Sequence, residues 1–218
     1  IMEIELKLSR SIDSIERTKK CVVFFSGMNE ESKVWERYLS DSYHNVFIKY
    51  SLDFFKDDLK ILVDEIAEKL EMIYDTIKCK KAHLIGHSIG GWLSILISHF
   101  YPKLVKNLVL VETTLPSSYH RFRIEKYSRE ETKKYYDNIL TSFKKYRDVH
   151  ISKYIKCTSH VNFPLMSNIE IVDKFKECLV YLKHISRCSK SKIIIHPNSY
   201  HQLYKYHFEQ IWDSLGLL

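Results

Sequence analysis

The chain has 218 residues, of which 45% are hydrophobic and 28% charged, a composition that suits one soluble globular domain with a full core. The formal net charge is +7, but the 34 Lys and Arg residues are spread among 27 acids, which argues against a nucleic-acid-binding protein. No stretch approaches the ~20 consecutive apolar residues of a membrane span. Five dispersed cysteines without C-x-x-C spacing argue against a disulfide scaffold and a zinc site. Residues 2–8 alternate charged and apolar side chains, unlike a secretory signal, so we expect a cytoplasmic protein.

Strand and helix patterns alternate through the first half of the chain. Continuous apolar runs at 21–25, 45–50, 82–85 and 108–111 are typical of buried parallel strands. Residues 57–77 carry apolar side chains at spacings of three and four, which predicts an amphipathic helix, and the apolar segment 88–101 predicts a helix buried against the sheet. This alternation predicts an α/β fold whose central sheet is mostly parallel, with helices on both faces.

One segment in the second half interrupts the alternation. Residues 117–147 are rich in Lys, Glu and Tyr, and four of their apolar side chains lie at helical spacing, which predicts an inserted helical segment. These four are Tyr135, Ile139, Phe143 and Tyr146. The alternation then resumes with a helix at 168–185, a strand at 192–196 and a final helix at 202–215. We therefore expect a single domain over residues 1–218 with one small helical insertion at about 116–150.

The chain has only five glycines, and four of them fall in two short stretches that each follow an apolar run. One stretch, Gly86-His87-Ser88-Ile89-Gly90, is a G-x-S-x-G motif with a predicted strand before it and a predicted helix after it. Such a turn holds the serine in a strained conformation, exposes its hydroxyl and leaves no room for side chains at the two glycines. The motif predicts that Ser88 is a nucleophile and that the Ile89 N–H stabilises an oxyanion.

With this motif the chain resembles the α/β-hydrolase superfamily, and most closely the small esterase, thioesterase and lipase branch whose motif reads GHSxGG followed by an aromatic residue, here Trp92. Residues 101–111 are similar to the segment of that branch that reads yP..v..LVLvd. The stretch 25–28 stands where the family places its His-Gly oxyanion loop, with Ser26 in place of the His; Trp35 occupies a position that is often aromatic. The resemblance implies the α/β-hydrolase fold and makes the Met28 backbone N–H the second oxyanion donor.

A catalytic serine needs a general base, and the resemblance implies a histidine after the last strand. His201 follows the predicted strand at 192–196 and takes the family's Gly-His position, with Tyr200 in place of the Gly. Two other histidines are alternatives. His196 comes early in this loop, and His207 falls in the predicted final helix.

The sequence identifies the acid that orients the base less clearly than it identifies the serine and the histidine. The family's usual acid loop corresponds to residues 155–164, which contain no carboxylate and offer only Asn162. Glu170 belongs to a helix-capping box, and Asp173 lies off the apolar stripe of its helix, so we expect it to face water. Glu112 is the first choice, because some superfamily members place the acid after this strand and ligands of open α/β sheets collect at strand carboxyl ends. Asn162 is the second choice. The apolar stripe expected to face inward is Ile169, Val172, Phe175, Leu179 and Leu182.

The leading hypothesis is a serine hydrolase that cleaves a carboxylic ester or thioester through an acyl-enzyme. Ser88 attacks, His201 transfers the proton and Glu112 orients His201, on a small-molecule substrate and with no metal or organic cofactor. One alternative is a binding protein that has the hydrolase fold. It is favoured by three departures from the family pattern, namely Ser26, Tyr200 and the lack of an acid in the usual loop. The other is a peptidase or carbon–carbon hydrolase that uses the same residues.

The insertion at 116–150 stands where the family places a cap over the acyl pocket. Its aromatic side chains either line a medium apolar cavity or pack the insertion against the domain. They are Tyr119, Phe122, Tyr127, Tyr135, Tyr136 and Phe143.

Overall fold

The centre of the molecule is a sheet of seven strands in the order β1-β3-β2-β4-β5-β6-β7. A computed structural model describes residues 3–7, 20–28, 30–40, 42–50, 58–113, 130–163, 168–197 and 199–216. The strands are β1 (Glu3–Lys7), β2 (Lys20–Phe25), β3 (Tyr43–Lys49), β4 (Ala82–His87), β5 (Val105–Val111), β6 (Lys156–Phe163) and β7 (Lys190–Pro197). β1 runs antiparallel to β3, and every other neighbouring pair is parallel. The carboxyl ends of six strands therefore meet at one edge.

Six α-helices are described around this sheet. They are α1 (Leu59–Thr76), α2 (Ile89–Phe100), α3 (Glu130–Lys145), α4 (Asn168–Ile185), α5 (Leu203–Tyr206) and α6 (Phe208–Gly216), with short 3-10 helices at Ser32–Tyr38 and Pro102–Leu104. Within the described ranges no helix combines the length and the apolar character that crossing a bilayer requires.

Alternate residues of the strands enter two separate apolar layers. In β2, Val23 and Phe25 pack with α1 and α2, whereas Val22 and Phe24 pack with the 3-10 helix Ser32–Tyr38 and with α5 and α6. Because both faces of the sheet are covered, its central strands are apolar throughout rather than alternating. The predicted α/β fold, with a mostly parallel sheet and helices on both faces, is confirmed.

Three features of the structure were not predicted from the sequence: two strands and a break in the final helix. Residues 155–164, read as a loop, contain β6, which pairs with β5 and β7. This strand escaped detection because its buried residues include Thr158, Ser159 and His160, which interrupt the apolar run. β1 was also not predicted as a strand. The predicted final helix is divided into α5 and α6 at His207, whose φ and ψ are −122° and 39°.

The described part of the apolar stripe of α4 faces outward, so the prediction that it faces the interior is wrong there. The side chains of Ile169 and Asp173 lie outside the described residues. Val172, Phe175, Leu179 and Leu182 are between 49% and 64% exposed. The helix instead buries a second set at helical spacing, Tyr181, His184 and Ile185. Two faces of α4 carry apolar side chains, and the face that is buried includes the polar residue His184.

The inserted segment contains α3, which packs on the core. Ile139 and Phe143 are buried, and the Phe143 ring meets the Trp92 ring edge-on with 5.4 Å between centroids. Phe143 thus packs the insertion against the domain. Tyr119, Phe122 and Tyr127 lie outside the described residues, as do the side chains of Tyr135 and Tyr136. The function of the segment as a lid stays a prediction.

Candidate active site

Ser88 occupies a strained turn between β4 and α2. Its φ and ψ are 53° and −125°, a combination that a residue with a side chain rarely adopts. Backbone bonds fix this conformation, because the Ser88 N–H donates to the Val111 carbonyl (3.2 Å) and the Gly91 N–H donates to the Ser88 carbonyl (3.1 Å). The side chain is partly exposed. The turn predicted from the G-x-S-x-G motif is present.

Two glycines allow the backbone around this turn to pack closely. A Cβ atom at Gly86 would lie 2.5 Å from the Gly91 Cα, and one at Gly90 would lie 2.4 Å from the Ser26 carbonyl oxygen. Neither backbone neighbour can move aside as a flexible side chain would. The contact at Gly90 brings the first turn of α2 against the segment of residues 26–28, hereafter the oxyanion loop.

The oxyanion loop is held by hydrogen bonds to Ser26, the residue that stands in place of the family's usual His. The Ser26 hydroxyl accepts a hydrogen bond from Trp35 Nε1 at 3.0 Å, and the Ser26 carbonyl accepts one from the Tyr50 hydroxyl. The predicted donors Met28 and Ile89 therefore lie on two segments that pack against each other. Ile89 opens α2, where backbone N–H groups have no intrahelical acceptor.

His201 lies beside the residue that precedes Ser88. The His201 carbonyl accepts a hydrogen bond from His87 Nε2 at 3.0 Å, and the two rings are 4.7 Å apart between centroids. The His201 side chain is 34% exposed, so its imidazole reaches both solvent and the end of the sheet. The loop after β7 thus returns His201 to the serine turn.

Glu112 directly follows β5 and is buried at the same edge of the sheet. Its φ is 41°, so Glu112 and Ser88 both have the positive φ that non-glycine residues avoid. The Glu112 N–H donates to the His160 carbonyl at 2.8 Å, and its Oε2 accepts from the Asn162 N–H at 2.6 Å. Its Oε1 lies 3.9 Å from His201 Nδ1. That separation is an ion-pair distance, longer than a hydrogen bond.

Asn162, the second choice for the acid, supports Glu112 through its backbone. Its N–H bonds the carboxylate from the end of β6, in register with His196 of β7. Glu112 is therefore held by two neighbouring strands, because it directly follows β5 and the N–H that bonds its carboxylate lies on β6.

The alternative histidines form a separate cluster with His160, hereafter the histidine cluster (His160, His196 and His207). His160 Nδ1 and His196 Nε2 are 2.9 Å apart, and the rings of His196 and His207 are 4.0 Å apart between centroids. Two serine hydroxyls also bond the histidine cluster. Ser214 Oγ lies 2.8 Å from His160 Nε2, and Ser199 Oγ lies 2.6 Å from His207 Nε2. Burial lowers the pKa of His160 to about 3 and that of His196 to about 4. These histidines are held neutral by their surroundings.

Sequence reasoning gave no role to Glu30, which contacts the serine turn. Its Oε2 lies 2.9 Å from His87 Nδ1. Burial raises the Glu30 pKa, but the interaction with His87 and the hydrogen bonds from the Gly27 N–H and the Tyr204 hydroxyl together outweigh it and hold that pKa below its usual range. The one signal in the sequence is an acid three residues after Gly27, in a loop that follows a buried strand.

Comparison with known proteins places these features in a family. The family model described as "alpha/beta hydrolase fold" matches residues 20–149, more than half of the chain. An abhydrolase domain-containing protein of Caenorhabditis elegans is 34% identical over 58 residues. That match covers 27% of this chain and 13% of the worm protein.

Solved structures with similar folds include esterases and lipases. A monoacylglycerol lipase of Paleococcus ferrophilus has a TM-score of 0.64 and 12% identity, over 99% of this chain and 96% of its own. A structure from a study of carboxylesterases of Nitrososphaera gargenis has a TM-score of 0.62 and 11% identity, over 99% and 94%. A probable hydrolytic enzyme of Pseudomonas aeruginosa has a TM-score of 0.62 and 14% identity, over 92% and 85%. At such identities the likeness is one of fold.

Proposed function

Because this chain belongs to the α/β-hydrolase fold family, we propose that it is a serine hydrolase that cleaves a carboxylic ester or thioester through an acyl-enzyme. The observation that carries the proposal is the strained turn at Ser88, with His201 and Glu112 at the same edge of the sheet. A residue held in such a sparsely populated conformation costs about 1–3 kcal/mol, and strain of this kind clusters at active sites.

In the first half of the reaction, Ser88 Oγ attacks the substrate carbonyl while His201 takes its proton. The backbone N–H groups of Met28 and Ile89 stabilise the oxyanion that forms. Glu112 faces His201 Nδ1, so it favours the tautomer with a free Nε2 and stabilises the imidazolium. His201 then gives the proton to the leaving alcohol or thiol, which departs and leaves the acyl group on Ser88.

In the second half, water attacks the acyl-enzyme. His201 takes a proton from that water, the same N–H groups stabilise the second oxyanion, and the proton returns to Ser88 Oγ as the acid leaves. Catalytic hydrogen bonds often shorten when the substrate binds, so we expect the separation of 3.9 Å between Glu112 Oε1 and His201 Nδ1 to decrease during the reaction.

The structural neighbours support an ester as the bond that is cleaved. Their names include a monoacylglycerol lipase and carboxylesterases, which act on acyl–oxygen bonds. A thioester could react at the same site, because the nucleophile attacks the same kind of carbonyl and a thiolate is a better leaving group than an alkoxide.

The test is intact-mass spectrometry after treatment with a fluorophosphonate probe. We expect one adduct on the wild type and none on Ser88→Ala, with both proteins folded by circular dichroism. Ser94→Ala is the matched control, because Ser94 is buried in α2 and its hydroxyl donates to the Gly91 carbonyl at 2.7 Å. An unlabelled, folded wild type, or equal labelling of Ser88→Ala, would contradict the proposal.

A further inference from the structure

We propose that Glu30 and His87 form a positioning pair, which holds the oxyanion loop and the His201 segment in a fixed relation to Ser88. This inference rests on the proposed function, since it assigns a role to two residues that surround the same site. The His87 side chain is buried and that of Glu30 is partly buried, with 1% and 12% exposed. Both nitrogens of His87 and both oxygens of Glu30 already have hydrogen-bond partners, so each would act through the groups that it holds.

Three donors from different parts of the chain converge on the Glu30 carboxylate. The Gly27 N–H donates to Oε2 at 2.6 Å, and the Tyr204 hydroxyl donates to Oε1 at 2.8 Å. His87 Nδ1 lies 2.9 Å from Oε2. The carboxylate thereby connects the oxyanion loop, the residue before Ser88, and α5, which begins two residues after His201.

The second nitrogen of His87 extends this connection to the base. Nε2 lies 3.0 Å from the His201 carbonyl oxygen, which can only accept, so Nε2 must carry a hydrogen. A further proton lies between Nδ1 and Glu30 Oε2, since two bare acceptors would repel each other at that distance. Both nitrogens of His87 are thus committed to hydrogen bonds, and the ring is fixed in one orientation.

The backbone at Gly27 leaves space for this pair. A Cβ atom at residue 27 would lie 2.8 Å from Glu30 Oε2 and 3.0 Å from His87 Nδ1. The oxyanion loop therefore passes directly over the pair, and a change in the pair is transmitted to the Met28 N–H one residue later.

The pair connects the two elements that must be aligned with Ser88 during the reaction, an oxyanion donor and the base. Misplacement of reacting groups by about 1 Å costs on the order of 10²-fold in rate. Because Glu30 and His87 do not contact the acyl group, we expect their loss to lower kcat and to leave KM nearly unchanged.

The experiment compares Glu30→Gln with Glu31→Gln, using p-nitrophenyl butyrate for kcat and KM and a fluorophosphonate probe for the labelling rate of Ser88. Glu31 is the matched control, because its side chain is 70% exposed and pairs with Lys33 at the surface. We expect Glu30→Gln to lower kcat and the labelling rate about 10–100-fold with KM within about 3-fold, and Glu31→Gln to match the wild type. Wild-type kcat in folded Glu30→Gln would overturn the pair.

A second variant keeps the test decisive if Glu30→Gln does not fold. Tyr204→Phe removes one of the three donors and keeps the ring, whose centroid is 4.8 Å from that of His87. We expect the Ser88 labelling rate to fall about 3–10-fold in protein that is folded by circular dichroism, with a lower melting temperature because the carboxylate loses a hydrogen bond. An unchanged rate would overturn the pair. If the wild type is not labelled at Ser88, the proposed function fails as well. If the wild type is labelled normally and the variants are labelled at the same rate, the positioning pair is refuted and the proposed function stands.

Discussion

Two groups of histidines near the carboxyl ends of the strands differ in what they face. His87 lies against the carboxylate of Glu30, and His201 lies 3.9 Å from that of Glu112. In the histidine cluster, His160 contacts another imidazole and the Ser214 hydroxyl. A buried imidazole next to hydroxyls and other imidazoles stays neutral, because the loss of solvation of its cation outweighs any attraction to a more distant carboxylate, such as that of Glu112 for His196.

The groups that contact each histidine decide which one is suited to act as a general base. A base must accept a proton during the reaction, so it needs a carboxylate to stabilise the imidazolium and an opening to the substrate. His201 has Glu112 on one side and is 34% exposed. His196 is buried and its pKa is lowered to about 4, so it would give up the proton that catalysis requires it to hold.

The largest expected effect comes from removing the base. We expect His201→Ala to lower kcat for p-nitrophenyl butyrate by about 10⁴-fold or more, because the Ser88 proton then has no acceptor. His207→Gln is the matched control, since an amide can still bond the Ser199 hydroxyl, and it should cost less than about 10-fold. A similar loss in both variants would mean that the two groups of histidines do not differ in function.

The next effect concerns the carboxylate that faces the base. Glu112→Gln should lower kcat by about 10²–10³-fold, because the amide cannot stabilise the imidazolium. The control is Asp173→Asn on α4, which should retain wild-type kcat. Steady-state kinetics at pH 8 would compare them. Equal and small effects would show that the acid is misassigned.

Acid should destabilise the fold through the histidine cluster. An unfolded histidine has a pKa of about 6.5, whereas in the fold burial lowers that of His160 to about 3 and that of His196 to about 4. Between those values the unfolded chain binds more protons, so the stability that each neutral histidine contributes is fully present above about pH 6.5. It is lost as the pH falls toward about 4 for His196 and about 3 for His160.

Urea unfolding at a series of pH values measures this loss. Each such histidine contributes a slope of up to about 1.4 kcal/mol per pH unit over its window. His160→Gln should therefore flatten the dependence between pH 6.5 and 4, even if it lowers the stability at neutral pH. An unchanged slope would show that His160 is not held neutral by its surroundings.

The smallest expected effect comes from a hydroxyl of the histidine cluster. Ser214 donates to the Gln210 carbonyl at 2.8 Å, so it accepts from His160 Nε2. Ser214→Ala leaves that buried donor without this acceptor, which should cost about 1–3 kcal/mol of unfolding free energy. The exposed Ser186→Ala should stay within about 0.5 kcal/mol. Equal stabilities by urea unfolding would contradict the assigned bond, and kcat should not change in either variant.

The features that could be predicted from the sequence are those encoded within a few adjacent residues. The turn at Ser88 needs its two glycines, a strand before it and a helix after it, and all of these are contiguous. The strands β2, β4 and β5 are similarly plain, because each is a short apolar run.

The features that escaped prediction depend on contacts between distant residues. β6 carries Ser159 and His160 in its buried register, so it lacks an apolar run, and its partners lie on other elements. The inward face of α4 is set by which side meets the sheet. Glu30 lies 57 positions from His87, so no local pattern links them.

The most direct test of the central claim is to trap the acyl-enzyme and locate it. The protein would be mixed with p-nitrophenyl butyrate, quenched in acid within milliseconds and digested, and the peptides analysed by mass spectrometry. We expect a butyryl group on Ser88 in the wild type, slower acylation in His201→Ala and no acyl group at this position in Ser88→Ala. A butyryl group on a different residue, or turnover that survives in Ser88→Ala, would contradict that claim.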